Sequence, residues 1–264
     1  MKRKSWLTVV AACWVLLCCD DGGGGDADAD IDADIDADSD ADSGSDSGAD
    51  GDIDSDSDTD GTGPLDGFGT LSGDCGFLDE GEWGSTEPFL FRNVLDFGTA
   101  AFDPTLLSDG AQEILEEGTA GGSSGESEAV SYDILYRCEL ADLLLSETEV
   151  VYNDPDSQRI DYLASIDARN VGVSVTRAYH YPPAEPCVVA DLVDLIDRKL
   201  VDILDAESHA DPSNPWTRSI LHVIAYSAQC ADAAVSAYET IDSAVQADTI
   251  VVITVTEGAD EFIY

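Results

Sequence analysis

The chain reads as an α/β domain with a mixed sheet, in the core order α-β-β-β-α-α-β, preceded by a disordered acidic tether. Three observations lead there. Helix-period and strand-like segments alternate from Phe89 onward. Three short strand-like segments lie close together between Glu149 and Tyr179, as antiparallel neighbours do. The run Thr249 to Thr256 (TIVVITVT) is β-branched throughout, which suits a central strand buried on both faces.

In chain order, Phe89 to Phe97 (FLFRNVLDF) is aromatic and apolar and predicts a first strand. Pro104 to Glu117 predicts a short helix, with Leu107, Ala111, Ile114 and Leu115 at helical spacing. Ser127 to Glu147 predicts a longer helix with Val130, Ile134, Cys138, Ala141 and Leu145 along one face. Strands follow at Glu149–Tyr152, Arg159–Ile166 and Val171–Tyr179, the last two joined by a tight Asp167–Asn170 turn. Pro182, Pro183 and Pro186 break the chain, and helices are expected at Val188–Leu204 and about Trp216–Tyr238 before the final strand.

Charge and targeting signals set the organisation. Fifty-six Asp and Glu face eleven Lys and Arg, a formal net charge of −45. Eighteen Asp, and no Lys, Arg or Glu, lie between Asp20 and Asp60; from Gly61 on, 38 acidic residues still face eight basic ones. Such a surface disfavours nucleic acid and anionic membranes as partners, since both need positive charge. It also suits solubility at high salt. Lys2, Arg3 and Lys4 precede an apolar stretch, Trp6 to Leu17, too short for the roughly 20 residues a membrane span needs. Its length fits a secretory signal peptide. The segment Val15-Leu-Leu-Cys-Cys19-Asp resembles the lipobox of bacterial lipoprotein signal peptides, with Cys19 as the lipidated residue. Val10-Ala-Ala-Cys13 also matches by letter, but would leave Trp14 to Leu17 on the mature chain. The resemblance implies an acyl anchor in a lipid bilayer and a cell-envelope location on the extracytoplasmic side, periplasm or cell surface.

The expected organisation is therefore a signal peptide at 1–19, an Asp-rich low-complexity tether at 20–70 and a globular domain at 71–264. Fifty tether residues would reach roughly 170 Å fully stretched and about 40 Å as a coil. Asp56-Ser-Asp-Thr-Asp60-Gly61 opens like an EF-hand loop, but Gly67 stands where that loop needs a bidentate Glu. The domain's cysteines, Cys75, Cys138, Cys187 and Cys230, are even in number in an exported chain and read as two disulfides, with three pairings open. Their spacing contains no zinc knuckle.

Chemistry is harder to find. Gly121-Gly-Ser123-Ser-Gly125 satisfies GxSxG, but no strand precedes it, as a nucleophile elbow requires. His180, His209 and His222 form no metal-binding spacing; His222, in ILHVIAY, reads as a partly buried helix residue. No glycine-rich phosphate loop is present.

One resemblance involves the acids. A Glu on the first core helix (Glu139), an Asp on the second strand (Asp161, in RIDYLAS) and the α-β-β-β-α-β order resemble the PD-(D/E)XK nuclease-like superfamily. The resemblance implies Mg²⁺ or Mn²⁺ held at Asp161 and a Glu-x-Lys pair on the third strand. Here Ser174 and Thr176 stand in that pair's place, so the active site is degenerate; Lys199 on the next helix is the candidate substitute for the lysine. One Asp and a hydroxyl make a poor cage for a hard divalent ion. The expectation is thus a non-catalytic binding or envelope module for an unknown protein or envelope ligand. A metal-dependent nuclease or phosphodiesterase is the alternative.

Overall fold

The computed structural model describes residues 68–118, 124–182 and 185–264. The chain divides into Met1–Asp54 and Ser55–Tyr264, and every described residue belongs to the second unit. The signal segment with Cys19, the Asp-rich tether, the EF-hand-like loop and Gly121–Ser123 of the GxSxG match lie outside the described residues.

The domain is α/β, built on one mixed seven-stranded sheet. Its elements are β1 (Thr70–Gly73), α1 (Glu80–Gly84), β2 (Phe89–Asp96), α2 (Asp109–Glu117), α3 (Gly125–Glu139), β3 (Asp142–Ser146), β4 (Tyr162–Ile166), β5 (Arg169–Ala178), α4 (Val189–His209), β6 (Arg218–Ala225), α5 (Ala228–Tyr238), α6 (Ser243–Gln246) and β7 (Ile250–Glu257). The strand order is β1-β2-β7-β6-β5-β4-β3. Strands β2, β7, β6 and β5 are mutually parallel, and antiparallel strands flank them on both sides.

The two faces divide by residue parity. Val171, Val173, Val175, Ile220, Ile224, Ile250 and Val252 meet Ala129, Val130, Ile134 and Leu135 of α3 in one core. Leu221, Val223, Val251, Ile253 and Val255 meet Leu192, Ile196 and Leu200 of α4 and the alanines of α5 in the other. Both faces of β6 and β7 are therefore covered, which is why their side chains are apolar almost without interruption.

The same fact explains the largest departure from the expected elements. The expected helix Trp216–Tyr238 is strand β6 followed by helix α5, with Ser227 as the N-cap accepting from the Cys230 N–H. An apolar run buried on all sides has no period, so RSILHVIA satisfies a helical spacing as readily as a strand. A second correction concerns the long helix. It stops at Glu139 rather than Glu147, because Leu140 takes a left-handed conformation at φ 52° and turns the chain directly into β3. Ala141 and Leu145 therefore leave the helical face, and Glu149–Tyr152 is no strand beyond an isolated bridge between Tyr152 and Ala210. Pro104 to Glu117 splits into a 3₁₀ turn and α2 at the Ser108 N-cap.

Three devices close the domain. Cys75 bonds Cys138, and Cys187 bonds Cys230, which settles the pairing. The first bond ties the segment after β1 to the last turn of α3. Arg218, almost fully buried at the start of β6, donates to the carbonyls of Glu82, Ser85, Glu87 and Asp248 and so fixes the α1 region against the sheet. Edge strand β3 is blunted by a register shift at Leu143/Leu145. Its Leu143 N–H donates to the Tyr132 hydroxyl and its Ser146 N–H to the Glu149 carboxylate, which removes donors that another strand could use.

Candidate functional site

The topology gathers ionisable groups at one end of β4. The tight corner at Leu140 reverses the chain, so the first turn of α3 and the end of β3 come to the same side. Ser146 pairs with Tyr162, which sets Glu147 beside Asp161. Tyr162 pairs with Val173, which sets Asp161 beside Ser174 on β5. Lys199 approaches from the middle of α4. The resulting group comprises Glu128, Glu147, Asp161, Ser174 and Lys199, with the four charged side chains close enough to influence one another's ionisation.

Asp161 is tied down. Its N–H donates to the Val173 carbonyl at 2.8 Å. Its Oδ2 accepts from the Val175 N–H at 2.5 Å and from the Ser174 hydroxyl at 3.2 Å. Burial pushes its pKa up, opposed chiefly by the positive charge of Lys199 and by the Val175 N–H. Glu128 is 3% exposed. Burial, then repulsion from Asp161, pushes its pKa up to about 7, against the favourable hydroxyl of Ser124 and the charge of Lys199. Burial and repulsion thus favour the protonated Glu128 carboxyl up to about neutral pH.

Of the residues singled out in the sequence, Asp161, Ser174 and Lys199 come together here. Thr176 lies two residues further along the same face of β5 and is half-buried. Glu139 is a correction. It sits at the opposite end of α3, where Oε1 accepts from the Gly76 and Phe77 N–H groups at 2.8 and 3.0 Å and Oε2 from Leu78 at 3.1 Å. It clamps the segment beside the Cys75–Cys138 bond and has no place in the cluster. Glu128, three helical turns earlier on the same face, is the acid that the sequence reading missed. No residue-type signal separates Glu128 from Glu126, the other acid in the first turn of α3.

The three histidines are accounted for. His222, a correction from helix to strand, is fully buried on β6. Its Nδ1 lies 2.8 Å from the Ser131 hydroxyl and its Nε2 lies 2.7 Å from the Thr254 hydroxyl. Burial pushes its pKa down to about 3, so it is neutral. His209, in the last turn of α4, uses Nδ1 on the Asp205 carbonyl at 2.8 Å. His180 faces Glu185 at 3.5 Å. A separate carboxylate group, Glu113, Glu117 and Glu149, has oxygens within 4.8 Å of one another and is exposed.

No protein-family model matches the chain, and no solved structure matches it. It is 31% identical over 153 residues to the AAC-rich mRNA clone AAC4 protein of Dictyostelium discoideum. That match covers 55% of this chain and 22% of the relative, so the chain spans about a fifth of that protein's length.

The Glu128 shift gives a signed pH prediction. Its folded pKa is raised above the ordinary 4.5, so its contribution to stability is complete below pH 4.5 and is lost as pH rises through about 7. Between those limits the native chain should lose on the order of 3 kcal/mol relative to Glu128→Gln. Urea unfolding of both proteins at several pH values from 4 to 8 measures the difference; parallel profiles would contradict the assigned environment.

Proposed function

We propose that this chain is a lipid-anchored extracytoplasmic protein, held by Cys19 and displaying one disulfide-stapled α/β domain as a non-catalytic binding module for an envelope ligand. The observation that carries the reading is the pairing of all four domain cysteines, which fits an oxidising, non-cytoplasmic compartment. Among the described residues no helix is long and apolar enough to cross a membrane, so attachment to a bilayer would fall to the N-terminal acyl group. Two features favour a non-catalytic role. Asp161 Oδ2 already accepts two protein hydrogen bonds, and β5 carries Ser174 and Thr176 where a metal-dependent nuclease would need Glu and Lys.

A second reading, a metal-dependent nuclease or phosphodiesterase, is favoured by one specific observation. Asp161, Glu128 and Lys199 converge, within elements that run α3-β3-β4-β5-α4-β6 with β6 parallel to β5. Under it, Asp161 would hold Mg²⁺ or Mn²⁺, whose chemistry is to polarise a phosphate and acidify a water; among the described residues the carboxylates close enough to share one ion are Glu113, Glu117 and Glu149, not this group. Lys199 would orient that water or meet the phosphate charge. The acidic surface opposes it by repelling a polyanion at low salt.

Two measurements test the proposal. Cells expressing the chain should incorporate labelled fatty acid into it, and Cys19→Ser should abolish incorporation and release the protein from membranes; unchanged labelling would refute the anchor at Cys19. Mn²⁺ titration of the oxidised full chain at high salt should give weak curves that superimpose for the native protein and Asp161→Ala. A saturable site lost in the variant would replace the binding-module reading with the hydrolase.

A further inference from the structure

Strands β5, β6 and β7 are parallel, so Ala178, Ala225 and Glu257 end at one edge of the sheet. Open α/β sheets place ligands outside the carboxyl ends of such strands, because the backbone turns there and side chains from several loops converge. In this chain the residue immediately after β5 is Tyr179, and the one after β6 is Tyr226. After β7 the chain folds back through the 3₁₀ turn Glu261–Ile263 and brings Tyr264 between them. Tyr264 lies 5.4 Å from Tyr179, tilted by 55°, and 5.1 Å from Tyr226, edge to face. Tyr181 follows two residues after Tyr179; it is 81% exposed, and Tyr179 is 37% exposed.

The rings are held in place. Thr256 donates to Asp260 Oδ2 at 2.6 Å, so its hydroxyl oxygen must accept from the Tyr264 hydroxyl at 2.7 Å. The Arg177 guanidinium sits 5.8 Å over the Tyr179 ring and donates to the Ile263 carbonyl at 2.7 Å. The Cys187–Cys230 bond ties the segment leading into α4 to the first turn of α5, which follows Tyr226. Gln229 doubles that link by accepting from the Cys187 N–H at 2.8 Å and donating to its carbonyl at 3.1 Å. Preorganised rings lose little entropy on binding.

We infer that this tyrosine edge is a binding platform for a neutral polysaccharide, an inference that rests on the extracytoplasmic binding-module reading and gives its ligand a chemical class. The chemistry selects the occupant. Exposed ring faces carry negative π density that attracts the C–H faces of a pyranose. The hydroxyls of the exposed Tyr179 and Tyr181 supply the donors and acceptors that a hydroxyl-rich chain requires. A purely apolar partner would leave those polar groups unpaired. A polyanion would meet the strongly acidic domain and be repelled.

The test is affinity electrophoresis of the oxidised full chain through native gels containing mixed-linkage β-glucan, xyloglucan, galactomannan or, as the charged control, polygalacturonate. At least one neutral polymer should retard the protein and polygalacturonate should not. Tyr181→Ala should weaken that retardation about tenfold, equivalent to about 1.4 kcal/mol. Tyr181→Phe, which keeps the ring face, should restore most of it, and Tyr136→Ala, on the exposed side of α3, should leave it unchanged. No retardation by any neutral polymer, retention of full binding by Tyr181→Ala, or equal weakening by Tyr136→Ala would overturn the platform. Those outcomes leave the acylation and Mn²⁺ results untouched, so the two proposals fail separately.

Discussion

Burial of β6 and β7 on both faces leaves no water for a polar side chain in the middle of the sheet, and one hydrogen-bonded chain resolves that constraint. Asn93 Nδ2 donates to the Asp74 carbonyl at 3.1 Å, which fixes its amide orientation. Its Oδ1 must then accept from the Thr254 hydroxyl at 2.6 Å. Thr254 has spent its proton, so it accepts from His222 Nε2–H. Nδ1 is then bare and accepts from Ser131, and Ser131 in turn accepts from Tyr162 at 2.8 Å. Every proton in the series is assigned by its neighbour. The series joins β2, β7, β6, α3 and β4, and each link removed would strand a buried donor or acceptor at a cost of about 1–3 kcal/mol.

That constraint also shapes the two edges where function is sought. With the interior fixed, the side chains available to a ligand are those the strands deliver to their ends. At the start of β4, toward the carboxyl end of β5, Glu128, Glu147 and Asp161 lie near Lys199, and burial raises the pKa of Glu128 and Asp161. Beyond the carboxyl ends of β5, β6 and β7 stand four tyrosines and Arg177, braced by a disulfide. In the first group Asp161 is already tied to a backbone N–H and a hydroxyl; the second includes the exposed ring of Tyr181. Under the proposed binding-module reading, it is the second group that meets a ligand.

How much of this was legible in the sequence depends on where periodicity survives burial. The α/β class, the mixed sheet, β2, β5, α4 and β7 could be read because Phe89–Phe97 and TIVVITVT are too β-branched or aromatic, and Val188–Leu204 too amphipathic, to be mistaken. RSILHVIA could not, since continuous burial erases the distinction between periods of 2 and 3.6. Leu140 hid the end of α3 because a left-handed leucine is uncommon and carries no residue-type signal. Both Glu128 and Glu139 lie on that helix whichever end it has, so element order alone does not choose between them. Asp161, Ser174 and Lys199 could be placed near one another because each lies on or beside an element legible in the sequence. Disulfide pairing, the Arg218 carbonyl cage and the tyrosine edge depend on contacts across 30 to 140 residues, which spacing alone does not encode.

The central claim is that the polar series through His222 is structural and fully committed, with chemistry left to the edges. The most direct test is long-range ¹H–¹⁵N NMR of the His222 imidazole between pH 5 and 8. A neutral ring protonated on Nε2, with no titration across that range, is what the hydrogen-bond directions require. A proton on Nδ1, or a titration near the ordinary histidine value of about 6.5, would mean a water-accessible, reactive imidazole and would contradict the account.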